Sequence, residues 1–202
     1  MTRRIIDHEG LERADVAALR RTRTPDDLPF GLAKISHVVL KVADLERSVT
    51  FYTEVLGFRV SDAYPESMMP GRMVFLRLGN GDHHGLALVG GAEGPADHSE
   101  LHHVAFEVET LDEVFRARAH LRRHGVALGF EGRRRAGQQI AIEFSDPDGH
   151  NLEICWGIDR IPPGAEPRPA AEWREAASLE EALRDAPPGQ EPRLADASLL
   201  QD

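Results

Sequence analysis

Two histidines and one glutamate occupy positions from which they could form a metal site. His37 and His103 each precede an apolar run that begins with valine, and they lie 66 positions apart. Ala87 and Glu153 are separated by the same 66 positions. Two imidazoles and one carboxylate bind a divalent metal and leave coordination positions open, which suits non-haem Fe(II) and is also accepted by Mn(II) and Zn(II). The spacing therefore predicts a metal centre at His37, His103 and Glu153.

The repeated interval indicates that one supersecondary unit occurs twice. The first copy has a β-branched run (ISHVVLKV), a segment with apolar residues at helical spacing that stops at Gly57, and three strand-like runs (FRVSDAYPE, MVFLRLG, GLALVGG). The second copy has the strand HHVAFEV, a helix opened by Thr110 and Glu113 as a capping box, and the runs GVALGFEG, QQIAIEF and HNLEICW. We predict an α+β fold in which two tandem βαβββ modules, about 34–91 and 100–158, form a half-open barrel around the metal site.

Strand alternation supports this placement of the ligands. Equivalent strands of two symmetrically packed modules would bring His37 and His103 together. In the run HNLEICW, Glu153 alternates with Leu152 and Ile154 and so points away from these apolar neighbours. A single histidine on a strand is more often a packed or surface residue than a ligand, but three matching placements favour the metal.

The remaining parts of the chain flank this domain, which we place at 34–159. Residues 1–33 are charged, with one helical stretch near Leu11 to Arg21, and are predicted to form an arm over the domain. Residues 160–202 are rich in Pro, Ala, Glu and Arg, with a short helix opened by Ser178 and Glu181. This extension packs against the domain, covers a cleft or meets a second subunit, or it forms a disordered tail.

Composition limits the possible partners. The formal net charge of −10 over 202 residues argues against nucleic acid and anionic membranes, since both require a basic surface. No run approaches the roughly 18 apolar residues of a membrane helix. One cysteine, Cys155, excludes an internal disulfide and fits a reducing cytoplasm. We expect a small-molecule substrate and a cytoplasmic protein, and the edge strands make a homodimer plausible.

The runs ISHVVLKVADLERSVTFYTEVLGF, LRLGNGDHHGLALVG, LHHVAFEVETLDEV and DPDGHNLEI resemble the vicinal oxygen chelate superfamily, and specifically its single-domain type I extradiol ring-cleavage dioxygenases. The resemblance covers roughly residues 34–159. In the family pattern, the histidines preceding the two valines and the glutamate of the final strand are the metal ligands, which correspond to His37, His103 and Glu153 here. His102 is expected to point the other way on its strand and to be structural.

The resemblance also implies roles for residues near the metal. Isomerases of the superfamily place a fourth ligand where this chain has Ala87, so a three-ligand site favours the dioxygenase branch. A histidine three residues before that position serves in the family as an acid or base near bound oxygen, and His84 matches it. His83 is expected to belong to a polar turn. A histidine with a pKa near neutrality is suited to proton transfer.

Two positions depart from the family pattern. Where related enzymes carry a further histidine and a tyrosine in the substrate pocket, this chain has Arg134 and Glu143. Glu143 could act as a general base on a carbon acid, or it could pair with the arginine run at 133–135. Arg134 could bind an anionic substrate, although such a run is more often a solvated turn.

Three functions are compatible with these residues. The first is an Fe(II)-dependent, or Mn(II)-dependent, extradiol-type dioxygenase of aromatic compound catabolism that uses O2 to cleave a catecholic ring, with His84 transferring protons. The second is a metal-dependent isomerase or epimerase, or a thiol- or water-adding enzyme, with Glu143 as base. The third is a small-molecule binding protein without turnover, which retention of all three ligand residues disfavours.

Overall fold

The computed structural model describes residues 6–23, 29–79, 81–96 and 100–201. Parts of the predicted N-terminal arm, 1–5 and 24–28, lie outside the described residues. Within the arm, α1 is His8–Leu11 and α2 is Ala14–Arg20, and neither helix has a buried residue.

The two modules have the predicted order of elements. The first contains β1 (Val38–Val42), α3 (Leu45–Thr50) continued by a π-helical turn (Phe51–Val55), β2 (Arg59–Tyr64), β3 (Met73–Arg77) and β4 (Leu86–Gly90). The second contains β5 (Val104–Glu107), α4 (Leu111–Arg123), β6 (Leu128–Arg133), β7 (Ile140–Ser145) and β8 (Asn151–Trp156). A 3-10 turn (Ala170–Glu172), α5 (Leu179–Arg184) and a second 3-10 turn (Ala197–Gln201) follow.

Each module forms one four-stranded mixed sheet with the same topology. The strand orders are β1-β4-β3-β2 and β5-β8-β7-β6. In both, the first and last strands of the module pair in parallel and the other neighbours are antiparallel. Both also have a bulge in the second strand, at Val60/Asp62 and at Leu128/Phe130. The α+β fold and the duplicated βαβββ unit are confirmed, and the two sheets are not closed into a barrel.

Local signals determine where the module helices begin and end. The Asp44 side chain accepts a hydrogen bond from the Arg47 amide at 2.9 Å and so caps α3. The helix stops at Gly57, whose φ of 77° is costly for residues with a Cβ. At the start of α4, the Thr110 amide donates to Glu113 Oε2 at 2.8 Å, which is the glutamate arm of the predicted capping box.

The modules share one hydrophobic core, formed by the helices and the sheet faces that pack against them. Phe58 and Phe106, one from each module, make an edge contact with ring centroids 5.4 Å apart. The predicted DPDG turn between β7 and β8 also joins the modules, since Tyr52 donates its hydroxyl to Asp146 at 3.0 Å and Ser48 donates to Asp148 at 2.7 Å. The two units are therefore held in one orientation by apolar and polar contacts together.

The C-terminal extension packs against the second module. Leu179, Ala182 and Leu199 are buried in the shared core. Arg133, at the end of β6, is fully buried and donates to the Ala182 carbonyl at 2.6 Å, the Asp185 carbonyl and Gln190 Oε1 at 2.8 Å. Among the possibilities left open by the sequence, packing against the domain is the one observed. In the part of the chain described, no helix has the length and apolar character needed to cross a membrane.

Candidate active site

His103 and Glu153 lie in contact on the second sheet. His103 immediately precedes β5, and Ala105 of that strand is the register partner of Glu153 on β8. The two side chains meet on one side of the sheet. His103 Nε2 is 3.9 Å from Glu153 Oε2, with the imidazole exposed and the glutamate only 2% exposed.

The environment of Glu153 suits a ligand for a cation. Gln139 Nε2 donates to Glu153 Oε1 over a long 3.4 Å. The Cys155 thiol is hydrogen-bonded to Glu153. Burial of the thiol, followed by the negative charge of Glu153, raises the pKa of Cys155 to about 12. None of His103, Gln139 and Cys155 carries a permanent positive charge, and a buried carboxylate is costly unless it is paired or coordinates a metal. A divalent cation would provide the missing charge.

His37 lies with His84 at the equivalent edge of the first sheet. The centroids of their rings are 4.6 Å apart. His84 also contacts Phe75, with centroids 5.0 Å apart, and its Nδ1 is 3.0 Å from His83 Nδ1. Burial, followed by the charges of His37 and His83, lowers the pKa of His84 from 6.5. At neutral pH this ring is therefore disposed to be uncharged and able to accept a proton.

The predicted ligands thus form two clusters, His37 with His84 and His103 with Glu153. Among the described residues, no group of three or more His, Cys, Asp and Glu side chains is arranged to hold a metal ion. The ligand types fit a divalent metal, and the His103 and Glu153 pair also fits it in position. The three-ligand centre that includes His37 stays a prediction.

Arg134 and Glu143 form a bidentate ion pair. Arg134 Nη2 donates to both carboxylate oxygens at 2.6 Å, and Nε donates to Oε1 at 2.8 Å. The guanidinium also stacks on Phe130, with its central carbon 3.6 Å from the ring centroid. This geometry supports the interpretation of Glu143 as a partner of the arginine run rather than as a free base.

A cavity of about 320 Å³ opens beside His103. Its lining residues are His102, His103, Ala127, Leu128, Gly129, Glu143, Phe144, Ser145, Asn151 and Leu152. A groove of about 530 Å³ between the modules also reaches His103, with Ser36 and Phe106 among its other lining residues. His103 is therefore accessible from two sides.

Sequence reasoning missed three features of this site. His102 lines the cavity, with its Nδ1 2.7 Å from that of His103, so the expectation that it points the other way was wrong. Both residues precede β5, which begins at Val104, and strand alternation does not apply there. Gln139 and Cys155 contact Glu153. The alternation of QQIAIEF and NLEICW, which places them on the face of Glu143 and Glu153, could have indicated both.

Comparison with known proteins identifies one family. The family model described as the glyoxalase/bleomycin resistance protein/dioxygenase superfamily matches residues 34–154. Biphenyl-2,3-diol 1,2-dioxygenase of Paraburkholderia xenovorans (strain LB400) is 33% identical over 134 residues, which cover 65% of this chain and 43% of that protein. Metapyrocatechase 2 of Cupriavidus necator is 31% identical over 159 residues, 77% of this chain and 45% of that protein. The chain thus spans less than half the length of these relatives.

Solved structures share the same fold. A glyoxylase/bleomycin resistance protein/dioxygenase domain from Frankia sp. EAN1pec superimposes with a TM-score of 0.54 at 25% identity, covering 63% of this chain and 99% of that domain. The fosfomycin resistance protein FosX from Listeria monocytogenes superimposes with a TM-score of 0.51 at 20% identity, covering 63% of this chain and 95% of that protein. The latter likeness concerns the fold alone.

Proposed function

Because the chain belongs to the glyoxalase/bleomycin resistance protein/dioxygenase superfamily, we propose that it is a metal-dependent extradiol-type dioxygenase that cleaves the ring of a catecholic substrate with O2. The observation that carries the proposal is the contact of the buried Glu153 with His103, which lines a cavity. The relatives named as dioxygenases of biphenyl-2,3-diol and 3-methylcatechol support the reaction type. Because the chain spans less than half of these proteins, their specificity is not transferred.

Three residues would hold the metal: His103 and Glu153 from the second module and His37 from the first. When bound, the metal would supply a positive charge that favours the ionised form of a vicinal diol and a centre for electron transfer to O2. Fe(II) is our first choice. Mn(II) is the second, since one relative is named a manganese-dependent 2,3-dihydroxybiphenyl 1,2-dioxygenase, from Geobacillus genomosp. 3. This relative is 28% identical over 131 residues, which cover 64% of this chain and 38% of that protein.

The other residues of the site have separate tasks. His84, disposed to be uncharged, accepts a proton from the diol and returns it during ring opening. Leu128, which is only partly buried, lines the cavity and offers apolar surface to the ring. Glu143, paired with Arg134, forms a polar part of the cavity lining.

The rival functions have less support. The isomerase or epimerase hypothesis requires Glu143 as a base, yet Arg134 occupies both of its oxygens. The binding-protein hypothesis includes no metal. It would leave the buried carboxylate of Glu153 without a cation, which is costly. The homodimer and the cytoplasmic location stay predictions.

The test is metal analysis of anaerobically purified protein, followed by addition of Fe(II) or Mn(II), a catechol panel and O2. We expect stoichiometric metal, oxygen uptake and a new visible absorbance from the ring-opened product. His103→Ala is expected to lose metal and activity, whereas His124→Ala, at the C-terminal cap of α4, is expected to keep both. His84→Ala is expected to keep the metal and to slow turnover by about 100-fold or more.

Two outcomes would reject the proposal. Bound metal without oxygen uptake for any catechol would exclude the dioxygenase. Failure to bind either metal would exclude the metal site itself.

A further inference from the structure

The position of Glu143 raises an electrostatic problem that Arg134 solves. Glu143 on β7 is the register partner of Glu153 on β8, so two carboxylates stand directly opposite each other on the same face of an antiparallel pair. Like charges in this arrangement are destabilising. The bidentate contact with Arg134 neutralises Glu143 and leaves Glu153 as the carboxylate available to a cation.

The same contact removes Arg134 as an anion-binding group. Its Nε and Nη2 both donate to Glu143, and the Phe130 ring covers one side of the guanidinium. A carboxylate on a bound ring would have to displace Glu143 to reach these donors. A bidentate pair between arginine and carboxylate is among the stronger charge-assisted contacts, so this displacement is unfavourable.

Glu143 itself lines the cavity beside His103. A ring bound there with its diol towards His103 lies beside the partly buried Leu128 and meets the Glu143 carboxylate on its polar side. The cavity therefore offers a neutralised ion pair, not a free cation, to a substituent on the ring. A carboxylate bound there would lose its hydration without gaining a charged partner, whereas an uncharged or apolar substituent is accepted.

We propose that Glu143 is a specificity-determining residue which, by neutralising Arg134, makes the cavity select catechols with uncharged substituents over ring-carboxylated ones. This inference rests on the catecholic ligand of the proposed function. It predicts that removing the charge of Glu143 converts Arg134 into a binding site for a carboxylate.

The experiment measures binding rather than turnover, so it is independent of ring cleavage. Probes are 2,3- and 3,4-dihydroxybenzoate, each matched with its dihydroxybenzamide, titrated calorimetrically under anaerobic conditions into wild type and Glu143→Gln. The native protein is expected to bind each amide about tenfold or more tightly than its carboxylate, the ratio that corresponds to the loss of one charge-assisted contact. In Glu143→Gln the preference for at least one isomer is expected to reverse.

Two further variants provide controls. Glu175→Gln removes one partner of another arginine, Arg135, whose Nη2 lies 2.8 Å from Glu175 Oε1 in the C-terminal segment. This variant is expected to keep the native preference. In Glu143→Gln combined with Arg134→Gln the gain in carboxylate binding is expected to vanish. Unchanged thermal unfolding midpoints show that each variant is folded.

Each outcome decides the inference. An unchanged amide-to-carboxylate ratio in Glu143→Gln, a native preference for carboxylates, or no binding of any probe to wild type overturns it. A reversed ratio in a protein that consumes no oxygen would support the selectivity and reject the dioxygenase. Oxygen uptake with an unchanged ratio would support the dioxygenase and reject the selectivity.

Discussion

The first sheet carries Met73, Phe75 and Ala87, all buried, on the face turned away from its helix. On the corresponding face, the second sheet carries Glu143 and Glu153. The topology, the parallel pairing and the bulge are common to both modules, yet one face is apolar and the other charged. Because alternate residues of a strand point to opposite faces, one face can change its chemistry while the other preserves the core. A duplicated unit can in this way keep its fold and divide its functions.

A second difference between the modules concerns one arginine in each and the groups that this arginine contacts. Arg133 at the end of β6 holds the C-terminal segment through two carbonyls and Gln190, whereas the arginine just before β3, Arg72, makes a surface pair with Glu46 at 2.7 Å. Burial lowers the pKa of Arg133 to about 10, which leaves it charged at neutral pH. The packing of the C-terminal segment on the second module therefore depends on the buried Arg133. The first module does not depend on the exposed Arg72 for its packing.

The largest expected effect tests the chemical difference between the two faces. Glu153→Gln preserves the shape of the side chain and removes its charge, so we expect metal affinity to fall at least ~100-fold, since even outer partners of metal ligands contribute 10–100-fold. Ala87→Ser, at the matching position of the first module, is the control and should leave metal binding unchanged. Metal titration of both variants checks this. Equal affinities in wild type and Glu153→Gln would show that the charged face is not a metal site.

The next effect concerns the buried arginine. Arg133→Met removes the donors for the Ala182 and Asp185 carbonyls, and we expect the free energy of unfolding to fall by about 3 kcal/mol. Arg72→Met should change it by less than about 0.5 kcal/mol, since exposed ion pairs contribute little. Urea denaturation gives both values, and limited proteolysis reports release of residues 160–201. Similar losses in the two variants would contradict the proposed difference between the modules.

The smallest effect concerns the joint between the modules. His150 Nδ1 lies 3.0 Å from Asp146 Oδ2, and this hydrogen bond, against the effect of burial, raises the pKa of His150 above 6.5. The protonated ring is thus favoured in the folded state, so its contribution is complete below pH 6.5 and is lost as the pH rises through the raised folded value. We expect protonated His150 to contribute about 1 kcal/mol to the free energy of unfolding.

Denaturation of wild type and His150→Gln between pH 5.5 and 9 measures this contribution. The stability difference between them should shrink as the pH rises. Burial opposes the shift of the Asp148 pKa, but hydrogen bonds from Ala43 and Ser48 lower it below 3.8, so this group contributes a constant amount over the range. A difference that grows with pH would show that the joint does not depend on protonated His150.

Much of the fold could be predicted because its signals are local. The apolar alternation around Leu40, the continuous apolar run around Leu88, the cap at Asp44 and the stop at Gly57 each determine an element within a few residues. The placement of His103 and Glu153 on one face followed from the parity of β8 and the 66-residue interval. The orientation of His102 was mispredicted because strand parity was applied before the strand begins.

By itself, the sequence determined the two modules, their order of elements and the residue types available for a metal site, because hydrophobic periodicity and caps act over short distances. Only the tertiary structure decided that Glu143 is engaged by Arg134, that Arg133 anchors the C-terminal segment, and that His103 contacts Glu153 while His37 lies with His84. These contacts join residues from different strands and modules, and the register and packing that bring them together depend on the whole fold, not on a local pattern.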